Sequence, residues 1–348
     1  MKLGILGHFC IGFNRFDGQT IKTQNLADGI EKYSDNYVMK IDTYAWKKNP
    51  IRLVKQIKIA FKECESIVML PAHNGVRVFT PILLYFKKKY NKKIFYDVIG
   101  GWLPEFLKDK KGLARNLKSF DGIWVETSTM KKKLEALGFT NVVVVPNFKE
   151  LEVLTPTELT YLDNEPYRLC TFSRVMKEKG IEDAIDSVRF VNEQCGKIIY
   201  TLDIYGQVDS EQLSWFEELK ISFPDYVKYR GTVPGEKSVE VLQNYFALLF
   251  PTRFYTEGIP GTIIDAYAAG VPVISARWEN FSDVIDDGIT GVGYDFFDVE
   301  KLKTLLLSFI MDPSTINDMK IACIQKAQKY TTKVVIDILI KGLKVKEK

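Results

Sequence analysis

Residues 253–275 read RFYTEGIPGTIIDAYAAGVPVIS. The stretch holds two acids, Glu257 and Asp265, on either side of a Gly-Ile-Pro-Gly turn. Gly258 and Gly261 let backbone approach a ligand closely, and Pro260 stands where a helix can begin. Asp265 then falls about a turn and a half further on, inside an apolar helix, where an acid is unfavourable by propensity and by burial. It needs a partner: a ligand hydroxyl is one, a backbone group or an arginine another. A second set lies in FSRVMKEKG, residues 172–180. Arg174 offers a fork to phosphate oxygens and Lys179 a point charge, so the two would clamp a diphosphate. On its own, such a pair is also an ordinary solvated loop. A third set is GHFCIGFNRFDGQTIKT, residues 7–23, where Asp17-Gly18-Gln19-Thr20 precedes a helical pattern. Amides at a helix N-terminus attract anions and polar ligands, although a turn capped by Asp17 or Thr20 has the same composition. The chain's two histidines, His8 and His73, each follow an apolar run, and Asp97 lies in another.

These residues must be held by regular elements. Short apolar, β-branched runs at 2–7, 37–42, 66–71, 93–99, 122–126 and 141–145 look like strands, with segments of helical length and period between them. That is the rhythm of a parallel sheet with crossover helices. It pauses at 146–167, which carries three prolines and clustered acids, and restarts at 168–174, 197–206, 226–231, 246–251 and 271–276. The expectation is an α/β chain of two Rossmann-like, doubly wound parallel-sheet domains facing a central cleft. The first would span 1–148 and the second 167–330, with a linker at 149–166. Ligands of open sheets bind beyond the carboxyl ends of the strands, so useful residues are sought just after the strands. No GxGxxG follows the first strand, so a dinucleotide fingerprint is not supported.

At 348 residues, with 46% apolar and 26% charged residues, the chain has the length and composition of two globular domains rather than a disordered one. Cys10, Cys64, Cys170, Cys195 and Cys323 are scattered singly. Their odd number and the lack of a CxxC argue against a disulfide framework or a zinc site, and for a reducing, cytoplasmic setting. The opening MKLGILGHFCIGF reads as a buried strand rather than a signal peptide. No apolar run reaches the roughly 18 residues of a membrane span. Residues 1–150 carry 26 Lys and Arg against 14 Asp and Glu, a balance of +12; the remainder carry 22 against 30, a balance of −8, and together these make the chain's +4. The first half therefore faces something anionic. Arg52, Lys55 and Lys58 recur at three-residue spacing among Ile51, Val54, Ile57 and Phe61. A basic amphipathic helix of this kind is either a membrane-surface contact or a Lys-rich solvated face. No nucleic-acid recognition motif accompanies it. No Asp-x-Asp triplet occurs, so a metal-held diphosphate is not indicated, and neither a metal nor another cofactor is expected.

The two C-terminal sets carry a resemblance. Arg174 with Lys179-Gly180, and Glu257-Gly258-Ile259-Pro260-Gly261 followed by Asp265-Ala266, Ala268, Gly270 and Pro272-Val273-Ile274, resemble glycosyltransferase family 4, of the GT-B fold. Pro146-Asn147, LDIYG (202–206), VKYRG (227–231) and DVIDDGITG (283–291) agree in order and spacing. The resemblance implies a retaining glycosyltransferase of hexosyl or N-acetylhexosaminyl type. Its donor would be a nucleotide-sugar, UDP-linked, held by the C-terminal domain; its acceptor, a saccharide or lipid-linked saccharide, would bind the N-terminal one. Arg174 and Lys179 match the pair that neutralises the donor diphosphate, and Glu257 matches the acid near the transferred sugar. The amides of Ile259, Gly261 and Thr262 would face sugar or phosphate. Asp265 matches a second acid that holds the ribose, usually Glu in the family and one methylene longer. Gly18, with Gln19 and Thr20, matches the N-terminal loop that closes over the donor. Many members carry a His after the fourth strand of the first domain; here that segment has Asp97, which leaves Asp97, His8 and His73 as candidates to face the acceptor or the cleft. GQTIKT is similar to the loop of transferases building bacterial surface polysaccharides, capsular or exopolysaccharide, which implies work in the cytoplasm at the inner face of an anionic membrane. A helix at 331–348 is expected to cross back to the first domain. Two rival readings stand beside this one: a sugar-nucleotide epimerase of the same fold, and a non-catalytic sugar-nucleotide-binding protein.

Overall fold

The computed structural model describes residues 2–12 and 18–344. Asp17 lies outside the described residues. The chain divides into two compact units, Met1–Glu150 with Tyr330–Lys348, and Leu151–Lys329.

In the first unit, strands β1 (Lys2–Gly7), β2 (Tyr37–Asp42), β3 (Ser66–Met69), β4 (Lys93–Asp97), β5 (Gly122–Val125) and β6 (Val142–Val144) form a parallel sheet in the order β2-β1-β3-β4-β5-β6. Parallel strands need crossover connections, and helices α1 (Gly18–Tyr33), α2 (Pro50–Glu63) and α3 (Asn74–Tyr90) supply the first of these. Both faces of the sheet are covered, which is why its inner strands read as continuous apolar runs rather than alternating ones. Leu6, Ile57, Phe61, Phe79, Leu83 and Tyr96 share one core. Leu3, Ile5, Leu26, Ile30 and Trp124 share the other with Val335, Ile336 and Leu339 of the C-terminal helix Thr332–Lys344. That helix lies so close on α1 that a Cβ at Gly29 would stand 2.7 Å from Thr332 Cγ2, so only glycine fits at the crossing.

In the second unit, β7 (Tyr167–Phe172), β8 (Tyr200–Tyr205), β9 (Val227–Gly231), β10 (Ala247–Phe250), β11 (Val273–Ala276) and β12 (Gly291–Tyr294) form a parallel sheet in the order β12-β11-β10-β7-β8-β9. Eleven strands fall within a few residues of where the sequence puts them. The twelfth was not expected. GVGY has neither alternation nor a β-branched run, and its Gly291 lies where a Cβ would stand 2.2 Å from the Val273 carbonyl oxygen of β11.

Each sheet reverses its strand order beside its first strand. The chain leaves β1 for β2 and then crosses to β3 on the other side; it leaves β7 for β8 and β9 and then crosses to β10. The ligand crevice of an open α/β sheet lies at such a reversal, beyond the carboxyl ends.

One core residue of the second unit is out of character. Lys320 is 1% exposed, and its ammonium reaches only the Tyr245 carbonyl at 3.4 Å among the described residues. Burial pushes its pKa down to about 8. A depressed lysine contributes stability above its unfolded pKa and loses it as pH falls through the folded value. Lys320→Met should therefore stabilise the protein by about 2–3 kcal/mol at pH 7. The gain should shrink toward zero near pH 11. Equal urea midpoints for the two proteins at pH 7 would contradict this.

Candidate functional site

The loops after β7 and β10 meet at the reversal in the second sheet. Gly180, at φ +68°, lies where a Cβ would stand 2.0 Å from the Pro251 carbonyl oxygen. Arg253 N donates to the Glu178 carbonyl at 2.8 Å. This close approach brings Lys179, which ends the short 3-10 turn Lys177–Lys179, to Glu257. The Lys179 ammonium donates to Glu257 Oε1, and Thr252 Oγ1 donates to the same oxygen at 3.3 Å. Asn280 Nδ2 donates to the Glu257 carbonyl at 2.6 Å. The rings of Phe250 and Phe254 flank the ammonium at 5.5 and 5.1 Å. Both charged side chains are largely shielded from solvent, about 15% exposed, so their mutual attraction is stronger than on an open surface.

The remaining predicted residues of this unit surround the pair to different degrees. Pro260 precedes the helix Gly261–Ala268, whose first residues are Gly261 and Thr262. Ile259 is buried, and the buried Thr262 Oγ1 has no hydrogen-bond partner among the described residues. Asp265 lies inside the helix, 3% exposed. Arg174 turns to Asp209, at 3.4 Å, so the two expected cations each hold a carboxylate of their own. Thr252 and Asn280 were not foreseen. Thr252 holds Glu257 from five residues back in the same loop, and Asn280 from 23 residues on, a relation that no local spacing encodes.

In the first unit, the loops after β1, β2 and β3 border an open cavity of about 410 Å3, lined in part by His8 and Gln19. Thr20 is buried in the first turn of α1, its hydroxyl 3.4 Å from His8 Nδ1 and 3.5 Å from Cys10 Sγ. Gly18 opens α1, and a Cβ built there would meet nothing within 4 Å among the described residues. His73 has a left-handed backbone, φ 42°, and stacks on Trp102 with ring centroids 4.1 Å apart. Burial lowers its pKa.

Asp97, a candidate to face the acceptor or the cleft, ends β4 as expected; it is 1% exposed and lies 3.4 Å from the ammonium of Lys22. Lys22 also binds Glu126, just after β5, at 2.8 Å, and all three side chains are buried. Burial works against the Lys22 charge, but Asp97 and Glu126 outweigh it and raise the Lys22 pKa. Lys22 thus reaches both carboxylates with one ammonium. Burial, with Glu126 nearby and against the pull of Lys22, pushes Asp97 up to about 6. The signal for this cluster was in the sequence, since Lys22 occupies the same stripe as Leu26 and Ile30 on α1. A charged lysine on a buried stripe is costly without a partner, and carboxylates within reach supply one.

Comparison with known proteins follows the same division. Residues 166–312 match the family described as Glycosyl transferases group 1. The amylovoran biosynthesis glycosyltransferase AmsK of Erwinia amylovora is 26% identical over 148 residues, 41% of this chain and 36% of its own length. A 41.2 kDa protein in the cps region of Klebsiella pneumoniae is 25% identical over 202 residues, 57% of this chain and 51% of its own. The chain thus aligns with about half or less of these relatives' length. Among solved structures, Anabaena HepE in complex with UDP superposes over 99% of both chains with a TM-score of 0.75 at 15% identity. The same protein has been solved with UDP-glucose. At that identity the likeness is one of fold, and it extends across both six-stranded sheets. The chain therefore has GT-B architecture, and its segment 166–312, which contains Lys179, Glu257 and the helix at Gly261, is similar to the group 1 glycosyl transferases.

Proposed function

We propose that the protein is a retaining glycosyltransferase that moves a sugar from a UDP-linked donor to a saccharide acceptor, lipid-linked, in bacterial surface polysaccharide assembly. The observation that carries the reading is the Lys179–Glu257 pair, held at the strand-order reversal of a group 1 domain. A cation and an acid at this point suit the two ends of one bond. As the glycosidic bond breaks, the diphosphate gains negative charge. Lys179, joined by Arg174, stabilises that charge more in the transition state than in the ground state. Glu257 orients the transferred sugar, and the amides of Ile259, Gly261 and Thr262 add donors at the helix start. Asp265 takes the ribose, and Gly18, Gln19 and Thr20 are read as further donor-binding residues from the likeness of their loop to the family's. The departing phosphate accepts the acceptor proton, so the scheme needs no side-chain base. The donor is read as UDP-linked because UDP and UDP-glucose are the ligands solved with HepE. Polysaccharide assembly is read from the likeness to AmsK.

The reading is tested by thermal denaturation with a panel of sugar nucleotides. A ligand that binds only the folded state raises the melting temperature, and a UDP-sugar should give the largest shift. No shift with any nucleotide would overturn the donor site. Lys179→Ala should weaken UDP binding about 10- to 100-fold, the range for losing a hydrogen bond to a charged group. Unchanged affinity in calorimetry would remove the diphosphate role.

The membrane contact belongs to the same proposal. Among the described residues no helix is long and apolar enough to cross a membrane. The outward face of α2 nevertheless exposes Ile51 and Val54 together with Arg52, Lys55 and Lys58. Apolar residues ringed by cations suit an anionic lipid surface. The protein should pellet with vesicles containing phosphatidylglycerol at low salt. Neutralising the three cations should release it. Binding indifferent to salt and to lipid charge would exclude this contact.

A further inference from the structure

The strand-order reversal of the second sheet holds the Lys179–Glu257 pair; the corresponding point of the first sheet, between β1 and β3, opens into the 410 Å3 cavity. Its volume lies in the range of small-molecule pockets. The chain spends effort on its walls. Asp42, at the end of β2, accepts backbone N–H bonds from Phe9 (3.0 Å), Ile11 (3.0 Å) and Tyr44 (2.8 Å), which ties the loop after β1 to the loop after β2. Ala45 then takes a left-handed conformation, φ 50°, and turns the chain into the short 3-10 segment Trp46–Lys48. An alanine there is held against its preference, and such strain persists where the surroundings over-determine it. Trp46 meets Phe79 edge-on at 5.4 Å, and Tyr44 meets His8 at 5.3 Å, so aromatic rings are fixed in the wall.

The charge of the lining is one-sided. Among the described residues it includes Lys47 and Lys48 and no carboxylate, and neither lysine forms an ion pair there. Aromatic faces suit the C–H face of a pyranose, and two uncommitted ammonium groups suit an anion beside it. We infer that this cavity binds a saccharide carrying a negative charge, with Trp46 and Tyr44 against the ring and Lys47 and Lys48 on the anionic group. The inference rests on the glycosyltransferase reading for its biological sense, since this saccharide would be the acceptor. The anionic group is either a carboxylate on the sugar or a phosphate at its anomeric carbon. Asp42 acts here as a positioning residue, holding both loops without touching the sugar.

The test uses the full chain with saturating UDP, so that the donor site is occupied, and three probes: methyl glucoside, methyl glucuronide and glucose 1-phosphate. Affinities are measured by saturation-transfer NMR titration. At least one charged probe should bind about fivefold more tightly than the neutral one, as expected for two solvent-exposed ion pairs. A preference for glucuronide assigns the charge to a sugar carboxylate, and one for glucose 1-phosphate to an anomeric phosphate. The Lys47→Ala/Lys48→Ala variant should lose that advantage while its UDP-induced thermal shift stays at the wild-type value. Equal affinity for neutral and charged probes would overturn the inference, as would an advantage that survives in the double variant. If UDP gives no thermal shift while the charged probe still binds in a lysine-dependent way, the donor reading fails and the cavity assignment stands.

Discussion

Glu257→Ala should lower sugar transfer by about a hundred- to a thousandfold in kcat, the cost of removing one preorganised polar contact to a reacting centre. The same variant should bind UDP as tightly as the wild type, or more tightly. The sign follows from the geometry: in the free protein Glu257 occupies the Lys179 ammonium, so its removal leaves that cation open to the diphosphate. A loss confined to kcat with nucleotide affinity kept marks an interaction made with the sugar rather than with the nucleotide. Steady-state kinetics and calorimetric titration of UDP check the two halves. Turnover within a few-fold of wild type would remove Glu257 from the mechanism.

Lys22→Met should destabilise the first unit by about 3–5 kcal/mol, because it removes the buried ammonium that Asp97 and Glu126 share. Asp97→Asn should act in the opposite sense. With its folded pKa near 6 against an ordinary 3.8, Asp97 contributes stability below pH 3.8 and loses it as pH rises through 6. At pH 7 the amide should therefore stabilise the protein, by about 1–3 kcal/mol once the lost attraction to Lys22 is allowed for. The difference should narrow toward pH 4. Urea unfolding of both variants at pH 4 and pH 7 measures this. Two substitutions of one cluster that shift the midpoint in the same direction at pH 7 would contradict the charge arrangement.

Much of the frame was legible because parallel strands covered on both faces are apolar throughout, and eleven of them stood out as runs. β12 did not, since its two glycines are there for close packing on β11 and Phe281, which is tertiary information. Within the site, Lys179 and Glu257 were legible as residue types at strand ends. Their contact was not, because it depends on Gly180 meeting Pro251 across 71 positions of sequence. The surroundings of Asp97 were not legible either. It occupies the end of a strand, where ligands bind, yet a lysine 75 residues earlier claims it. Asp42 was passed over because three backbone amides from two loops leave no mark in the sequence.

The central claim is that this chain transfers sugar from a nucleotide donor at the Lys179–Glu257 site. The most direct measurement is UDP release from UDP-glucose and related donors, with and without a lipid-linked saccharide acceptor, followed by NMR of the product's anomeric centre. The account predicts release that requires the acceptor and a product that keeps the donor's anomeric configuration. Isomerised donor without acceptor would favour an epimerase, and donor binding without transfer to any acceptor would favour a binding protein; either result would contradict it.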